Sequence, residues 1–135
     1  MSSSTAPIGL PWLAEDNFLE WREHVMAYLQ RKQVAQYVQG WPRYLPPNPP
    51  TDLTDAERQV PATVQTYDAA VVAWLTAYDE WRIKDHVAMG VIKSTLRGEY
   101  LTYVRGCTTS KAVWDTILDR LKTQNLWLAA HNTMY

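Results

Sequence analysis

Apolar residues recur at helical spacing in the first ordered part of the chain. In "DNFLEWREHVMAYLQRK" they share one face, which predicts an amphipathic helix over 18–32 with Asp16 or Asn17 as its N-cap. The following "QVAQYVQG" predicts one or two further turns that stop at Gly40, since glycine readily takes the left-handed conformation that ends a helix. The apolar face of the first helix consists of Phe18, Trp21, Val25, Tyr28 and Leu29.

A stretch without proline predicts one long helix over 62–96. Its stripe advances by alternating steps of four and three residues, as one face of a helix does. Gly90 weakens the helix by about 1 kcal/mol relative to alanine and could mark a bend. The stripe consists of Tyr67, Val71, Trp74, Tyr78, Trp81, Asp85, Ala88 and Ile92.

Shorter elements and a final helix complete the pattern. Thr54 and Glu57 stand at capping-box spacing, which predicts a short helix before Pro61. "EYLTYVR" between two glycines predicts another. "SKAVWDTILDRLKT" predicts a strong helix over 109–122, capped by Thr108 or Thr109. "NLWLAAHNTMY" also has a helical pattern without a C-cap, which indicates that the natural chain continues past 135.

The remaining segments are predicted to be irregular. Residues 1–15 are small, proline-containing and aperiodic, so we expect a flexible arm tethered by Trp12. Five of the eight prolines lie in "WPRYLPPNPP", which predicts an extended loop over 41–51. No strand pattern of useful length is present. The sequence therefore predicts one helical domain over 16–135, an all-α orthogonal bundle of about five or six helices.

Composition excludes several classes of function. The formal net charge is −1 and no window concentrates basic residues, which argues against a nucleic-acid groove. One cysteine cannot form an internal disulfide, and histidines at 24, 86 and 131 form no metal-ligand pattern, so no metal and no cofactor are expected. No signal peptide or membrane-spanning stretch is recognisable, and we expect a cytoplasmic protein without membrane contact.

Catalytic chemistry finds little support. Cys107 lies near a predicted helix start, which would lower a thiol pKa, but the sequence nominates no histidine as its base. His24 and His86 are interpreted as surface residues. Phosphate-loop, Gly-x-Ser-x-Gly and His-Glu-x-x-His motifs do not occur. The chain is therefore not expected to be an enzyme.

Two further features call for a structural explanation. Asp85 interrupts an apolar stripe, so it should accept hydrogen bonds from a helix N-terminus, an indole N–H or an arginine. Trp21, Trp74, Trp81 and Trp114 all lie on apolar stripes and are predicted to be in the core, whereas Trp12 and Trp41 are the candidates for exposure.

The order and spacing of these residues resemble the Gag polyprotein of copia-type LTR retrotransposons. The resemblance covers roughly residues 16–122, through "DNFLEWREHVMAYL" and through a tryptophan, aspartate and aliphatic series that leads into "TSKAVWDTILDRL". The chain lacks the second half and the Cys/His zinc knuckle of that family, and the proline-rich insertion of the chain is long. The matching positions are Trp21, Trp81, Asp85, Ala88, Ile92, Leu96, Val104, Thr109, Trp114 and Leu121.

The resemblance implies a capsid-like N-terminal lobe that associates with copies of itself and helps to build a particle shell around element RNA. RNA would be bound mainly by basic segments that this chain lacks. By the same resemblance the contact would lie on the outward face of the first helix, at Glu20, Glu23, His24, Ala27 and Gln30. The alternative is a protein-interaction adaptor that binds a host partner through the helical bundle or the proline-rich loop.

Overall fold

Five α-helices form the fold in the computed structural model, which describes residues 5–123. Within that range there is no strand, only an isolated bridge between Thr5 and Pro11. The all-α prediction is confirmed for this part of the chain, while the predicted helix in "NLWLAAHNTMY" lies outside the described residues. The helices are α1 (Phe18–Arg31), α2 (Ala35–Gln39), α3 (Pro61–Lys93), α4 (Glu99–Tyr103) and α5 (Ser110–Thr123), with single 3₁₀ turns at Pro42–Tyr44 and Glu57–Gln59.

Helix α1 ends through backbone hydrogen bonds at a residue with positive φ. Gln33 has φ 61°, and the amides of Gln33 and Val34 donate to the carbonyls of Gln30 and Leu29. This arrangement is a Schellman motif, in which glycine is the usual residue. The chain then turns into α2, which ends at Gly40 with φ 71°, as the sequence predicts.

The predicted N-cap of α1 has the right position, but its predicted hydrogen bond to the helix is wrong. Asn17 occupies the N-cap position but its side chain makes no cap hydrogen bond to the helix. Its Oδ1 instead accepts from the amide of Ala14, and its Nδ2 donates to the carbonyl of Trp12. Asn17 thus fixes the turn that leads into the helix.

Helix α3 begins at Pro61 and ends three residues before the predicted boundary at 96. Pro61 takes the first helical position, where a missing amide hydrogen costs nothing. After Lys93 the chain tightens, and Thr95 Oγ1 donates to the carbonyl of Ile92. The same hydroxyl accepts the indole N–H of Trp21 at 2.9 Å, so the end of α3 is tied to α1.

The core lies between α1, α2, α5 and the C-terminal third of α3. Helix α3 contributes buried residues only from Asp85 onward, because its first two thirds extend beyond the other helices. Trp21 of α1 stacks on Trp114 of α5 with 5.3 Å between ring centroids. The largest fully buried side chains are Leu13, Trp21, Val25, Leu29, Val34, Val38, Ile92, Leu96, Val104, Val113, Ile117 and Leu121.

The structure differs from the expected flexible arm over residues 5–15. Leu10 and Leu13 are buried in the main core, and Ala6 is buried as well. The amide of Leu13 donates to the carbonyl of Thr95 at 3.0 Å. These apolar residues do not follow a helical or strand period, which is why the sequence pattern did not assign them to the core.

Candidate interaction surfaces

The outward face of α1 contains the residues that the sequence analysis selected for self-association. Glu20, Glu23, His24 and Gln30 are exposed, and Ala27 is half-buried. None of them contributes to the main core. The face is therefore available to solvent in the described chain.

Part of this face is a shallow depression of about 360 Å³. Three of the selected residues, Glu23, Ala27 and Gln30, contribute to its lining. Two apolar residues that the sequence analysis did not select, Leu19 and Met26, complete the floor and are half-buried. The spacing of Leu19, Glu23, Met26, Ala27 and Gln30 by three and four residues is the signal that could have identified them.

The electrostatics of the depression are mixed. Arg22 and Glu23, neighbours in sequence, both line it and carry opposite charges. An apolar floor bounded by both signs of charge suits contact with a protein surface better than it suits binding of a small anion or cation.

Asp85 is a structural acceptor, as the sequence analysis predicted. Its side chain is buried, with the residue 1% exposed. Both carboxylate oxygens lie 3.2 Å from the amide nitrogen of Ser110, the first residue of α5, and the Ser110 hydroxyl donates to Oδ1 at 2.5 Å. Asp85 therefore caps α5 from another helix, where the positive end of the helix dipole favours a carboxylate.

The positions that carry the family resemblance lie mostly in the core. Trp114 is buried against α1, and Thr109 caps α5 through a hydrogen bond from the amide of Ala112 to Oγ1. Trp81 and Thr109 are the two exceptions, because both are only half-buried. The buried members are Trp21, Asp85, Ala88, Ile92, Leu96, Val104, Trp114 and Leu121.

The prediction that Trp74 and Trp81 belong to the core is wrong. Both are half-buried and are covered by the proline-rich loop. The indole N–H of Trp74 donates to the carbonyl of Pro47 at 3.0 Å, and that of Trp81 donates to the carbonyl of Tyr44 at 2.7 Å. Helix α3 has no fully buried side chain before Asp85, so both indoles are covered by the loop and lie outside the main core.

The opposite side of α3 exposes aliphatic side chains that the sequence analysis did not single out. Val72 is 63% exposed and Ile83 is 59% exposed. Leu75 and Val87 on the same side are also exposed. Their spacing places them on one helical face, which is a second candidate surface for a protein contact.

Cys107 and the histidines occupy ordinary positions. Cys107 is half-buried, and its sulfur lies 3.5 Å from Thr116 Oγ1. His24 and His86 are exposed. Between residues 5 and 123, no group of three His, Cys, Asp or Glu side chains is placed to bind a metal ion. None of the helices described there is long and apolar enough to span a membrane.

Comparison with known proteins identifies no relative: no protein-family model, no curated protein and no solved structure matches this chain.

Proposed function

We propose that this chain is a structural, self-associating capsid lobe, of the kind found in the Gag polyprotein of copia-type LTR retrotransposons or in a host protein derived from one. Its copies would contact one another in a particle shell around element RNA. The helices would then form the orthogonal bundle of a capsid-like N-terminal domain. The chain itself would leave RNA binding to basic segments that its sequence does not contain.

Burial of the resembling positions supports this proposal. A pattern of tryptophan, aspartate and aliphatic residues is meaningful for a fold if its members pack together. Trp21 and Trp114 stack, and Asp85 caps the helix that carries Trp114. The pattern therefore coincides with the contacts that join α1, α3 and α5.

The depression on α1 is the observation that carries self-association. It combines a floor of Leu19 and Met26 with the opposite charges of Arg22 and Glu23. A contact between two such faces can pair apolar floor with apolar floor and arginine with glutamate. Six residues line the depression, whereas a stable interface uses about 20–30 residues a side, so a single contact should be weak, as a shell that corrects assembly errors requires.

The alternative function is that of an adaptor that binds a host protein. The exposed aliphatic face of α3 favours it, because a row of such residues is unusual on a helix that contacts only water. The proline-rich loop is less suited to this role as a free ligand, since the carbonyls of Tyr44 and Pro47 already accept hydrogen bonds from α3.

Sedimentation velocity over micromolar to millimolar concentrations tests self-association. We expect a monomer at micromolar concentration and reversible oligomers as the concentration approaches the millimolar effective concentration of tethered copies. Reversing the charges with Glu20→Lys and Glu23→Lys should weaken the association. A matched control, Asp55→Lys with Asp115→Lys, makes the same change of charge at exposed positions outside α1 and α3.

Three outcomes would contradict parts of the proposal. A chain that stays monomeric at millimolar concentration contradicts self-association. Equal association of the α1 variant and wild type, with intact helical content, contradicts the α1 surface. Loss of association in Ile83→Lys, but not in the α1 variant, would assign the contact to α3.

A further inference from the structure

The middle of α3 presents a ladder of aromatic rings along one face. Trp74, Tyr78 and Trp81 follow one another with centroid separations of 5.7 and 5.9 Å. Trp74 and Trp81 are seven residues apart, which is about 10.5 Å along a helix and nearly two full turns, so both indoles point to the same side. We call these three residues the aromatic ladder.

The proline-rich loop runs along the ladder in the opposite direction. Trp81 donates to the carbonyl of Tyr44 and Trp74 donates to the carbonyl of Pro47. These carbonyls are three residues apart, which is one turn of a polyproline II helix, about 9.3 Å. Leu45 between them has φ −78° and ψ 157°, which are polyproline II angles. The repeat of the loop therefore matches the repeat of the ladder.

The chemistry of this contact is general to proline-rich segments. Both indoles bind backbone carbonyls, which any polyproline II segment presents at the same interval. Several loop side chains face solvent, including Pro46, Asn48 and Pro49, so the contact depends mainly on the backbone carbonyls. Proline-rich ligands are recognised in this way elsewhere, by aromatic side chains that pack on the rings and donate to the carbonyls between them.

From these observations we infer that the aromatic ladder is a binding site for proline-rich segments of other polypeptides, and that the chain's own loop occupies it. The ligand would carry a half-buried apolar or aromatic residue at the position of Tyr44 and a proline three residues later. This site is distinct from the α1 face and does not depend on self-association.

The tethered loop sets the conditions for binding in trans. A short linker holds the loop near the ladder at an effective concentration in the millimolar range. An external segment must compete with it, so the wild-type chain should bind weakly and a chain with a released loop should bind well. Space remains beside the loop, in a cavity of about 440 Å³ whose lining includes Tyr37, Tyr44, Pro47 and Trp81.

A peptide of residues 41–50, "WPRYLPPNPP", is the probe for this site. The protein is the full chain with residues 44–50 replaced by a Gly and Ser segment of equal length. Binding is followed by the indole N–H resonances of Trp74 and Trp81, with the peptide unlabelled. We expect both resonances to shift on titration, with an affinity about tenfold or more above that of wild type.

Variants and a second peptide define the site. Trp74→Phe keeps a ring but removes the donor, and should weaken binding by about tenfold. Trp12→Phe, a tryptophan outside the ladder, is the matched control and should bind as tightly as its parent. The same peptide with alanine in place of proline should bind far less, because it is not preorganised as polyproline II.

The inference is overturned if the folded loop-replaced chain shows no shift at either indole with millimolar peptide, or if Trp74→Phe binds as tightly as its parent. If replacing the loop prevents folding, Pro46→Gly with Pro47→Gly loosens the loop at constant length. Binding by that variant without the tenfold gain over wild type would equally contradict occupancy of the site by the loop.

Discussion

Asp85 joins two helices, because its side chain extends from α3 and caps the N-terminus of α5. Replacing it with alanine leaves the amide and hydroxyl of Ser110 buried without their acceptor. We expect Asp85→Ala to lower the free energy of unfolding by about 1–3 kcal/mol, measured by urea denaturation. Asp85→Asn retains one acceptor oxygen and should lose less.

The Asp85 prediction has a test that separates capping from general packing. If the loss comes from the Ser110 contacts, then Ser110→Ala and Asp85→Ala should be non-additive, since both remove the bond between the Ser110 hydroxyl and the Asp85 carboxylate. Additive losses, or an unchanged denaturation midpoint in Asp85→Ala, would contradict the role of Asp85 as the cap of α5.

Tyr100 has a buried hydroxyl with no hydrogen-bond partner in the described part of the chain. Burial raises the pKa of this hydroxyl above its usual value, and the charges of Glu15 and Glu99 raise it further. Its neutral form is therefore favoured in the folded chain. We expect Tyr100→Phe to be neutral or to stabilise by up to about 1 kcal/mol at pH 7, because it removes an unsatisfied polar group.

The pKa of Tyr100 also predicts how stability responds to alkali. An unfolded tyrosine ionises near pH 10, whereas Tyr100 in the folded chain ionises at a higher pH. The contribution of Tyr100 to the free energy of unfolding is therefore fully present below about pH 10 and is lost as the pH rises above that. Tyr37, whose pKa is raised mainly by burial and further by Tyr44 and Asp85, contributes in the same direction. Thermal melts of wild type and Tyr100→Phe from pH 7 to pH 11 measure the difference between their melting temperatures. This difference should change only above about pH 10. A constant difference would contradict the raised pKa.

Helices α1 and α5 are held together largely by the stacked rings of Trp21 and Trp114. Trp114→Ala should lower the free energy of unfolding by about 3–5 kcal/mol, enough to unfold a domain of ordinary stability. Trp114→Phe keeps an aromatic ring at the contact and is the matched variant, which should remain folded. A native-like circular dichroism spectrum and a near-native melting temperature in Trp114→Ala would show that this contact contributes much less than its burial indicates.

At the level of elements, the sequence predicted most of the helices but not what covers them. The periods of α1, α3 and α5 are strong, and the paired hydrogen bonds of Thr54 and Glu57 confirm the predicted capping box. The predicted boundary at 96 is wrong: the helix ends at Lys93, and Thr95 beyond it accepts the indole N–H of Trp21, a tertiary contact that the sequence period does not encode. A period in the sequence reports that a face is apolar, and it cannot report which segment packs there.

At the level of the molecule, the sequence predicted which faces are apolar, but it did not predict which segments pack on them. The stripe of α3 is regular in its spacing, yet its two halves contact different partners: Ala88 and Ile92 lie in the core, and Trp74 and Trp81 lie under the loop. Leu10 joins the core from a segment with no period. The self-association face of α1 is exposed as the resemblance required, but its role remains a proposal.

Helix α3 is continuous in geometry, and its two parts should nevertheless differ in hydrogen exchange. The amides before Asp85 lie in a part of α3 that has no fully buried side chain and that packs against the proline-rich loop. The amides after Asp85 lie in the part that belongs to the core. Local opening of the first part therefore costs less than global unfolding. We expect amides at 64–78 to exchange orders of magnitude faster than those at 86–93. Because Trp74 binds the carbonyl of Pro47, helix fraying and loop release should then be one event, and Trp74→Phe should speed exchange in the first part alone.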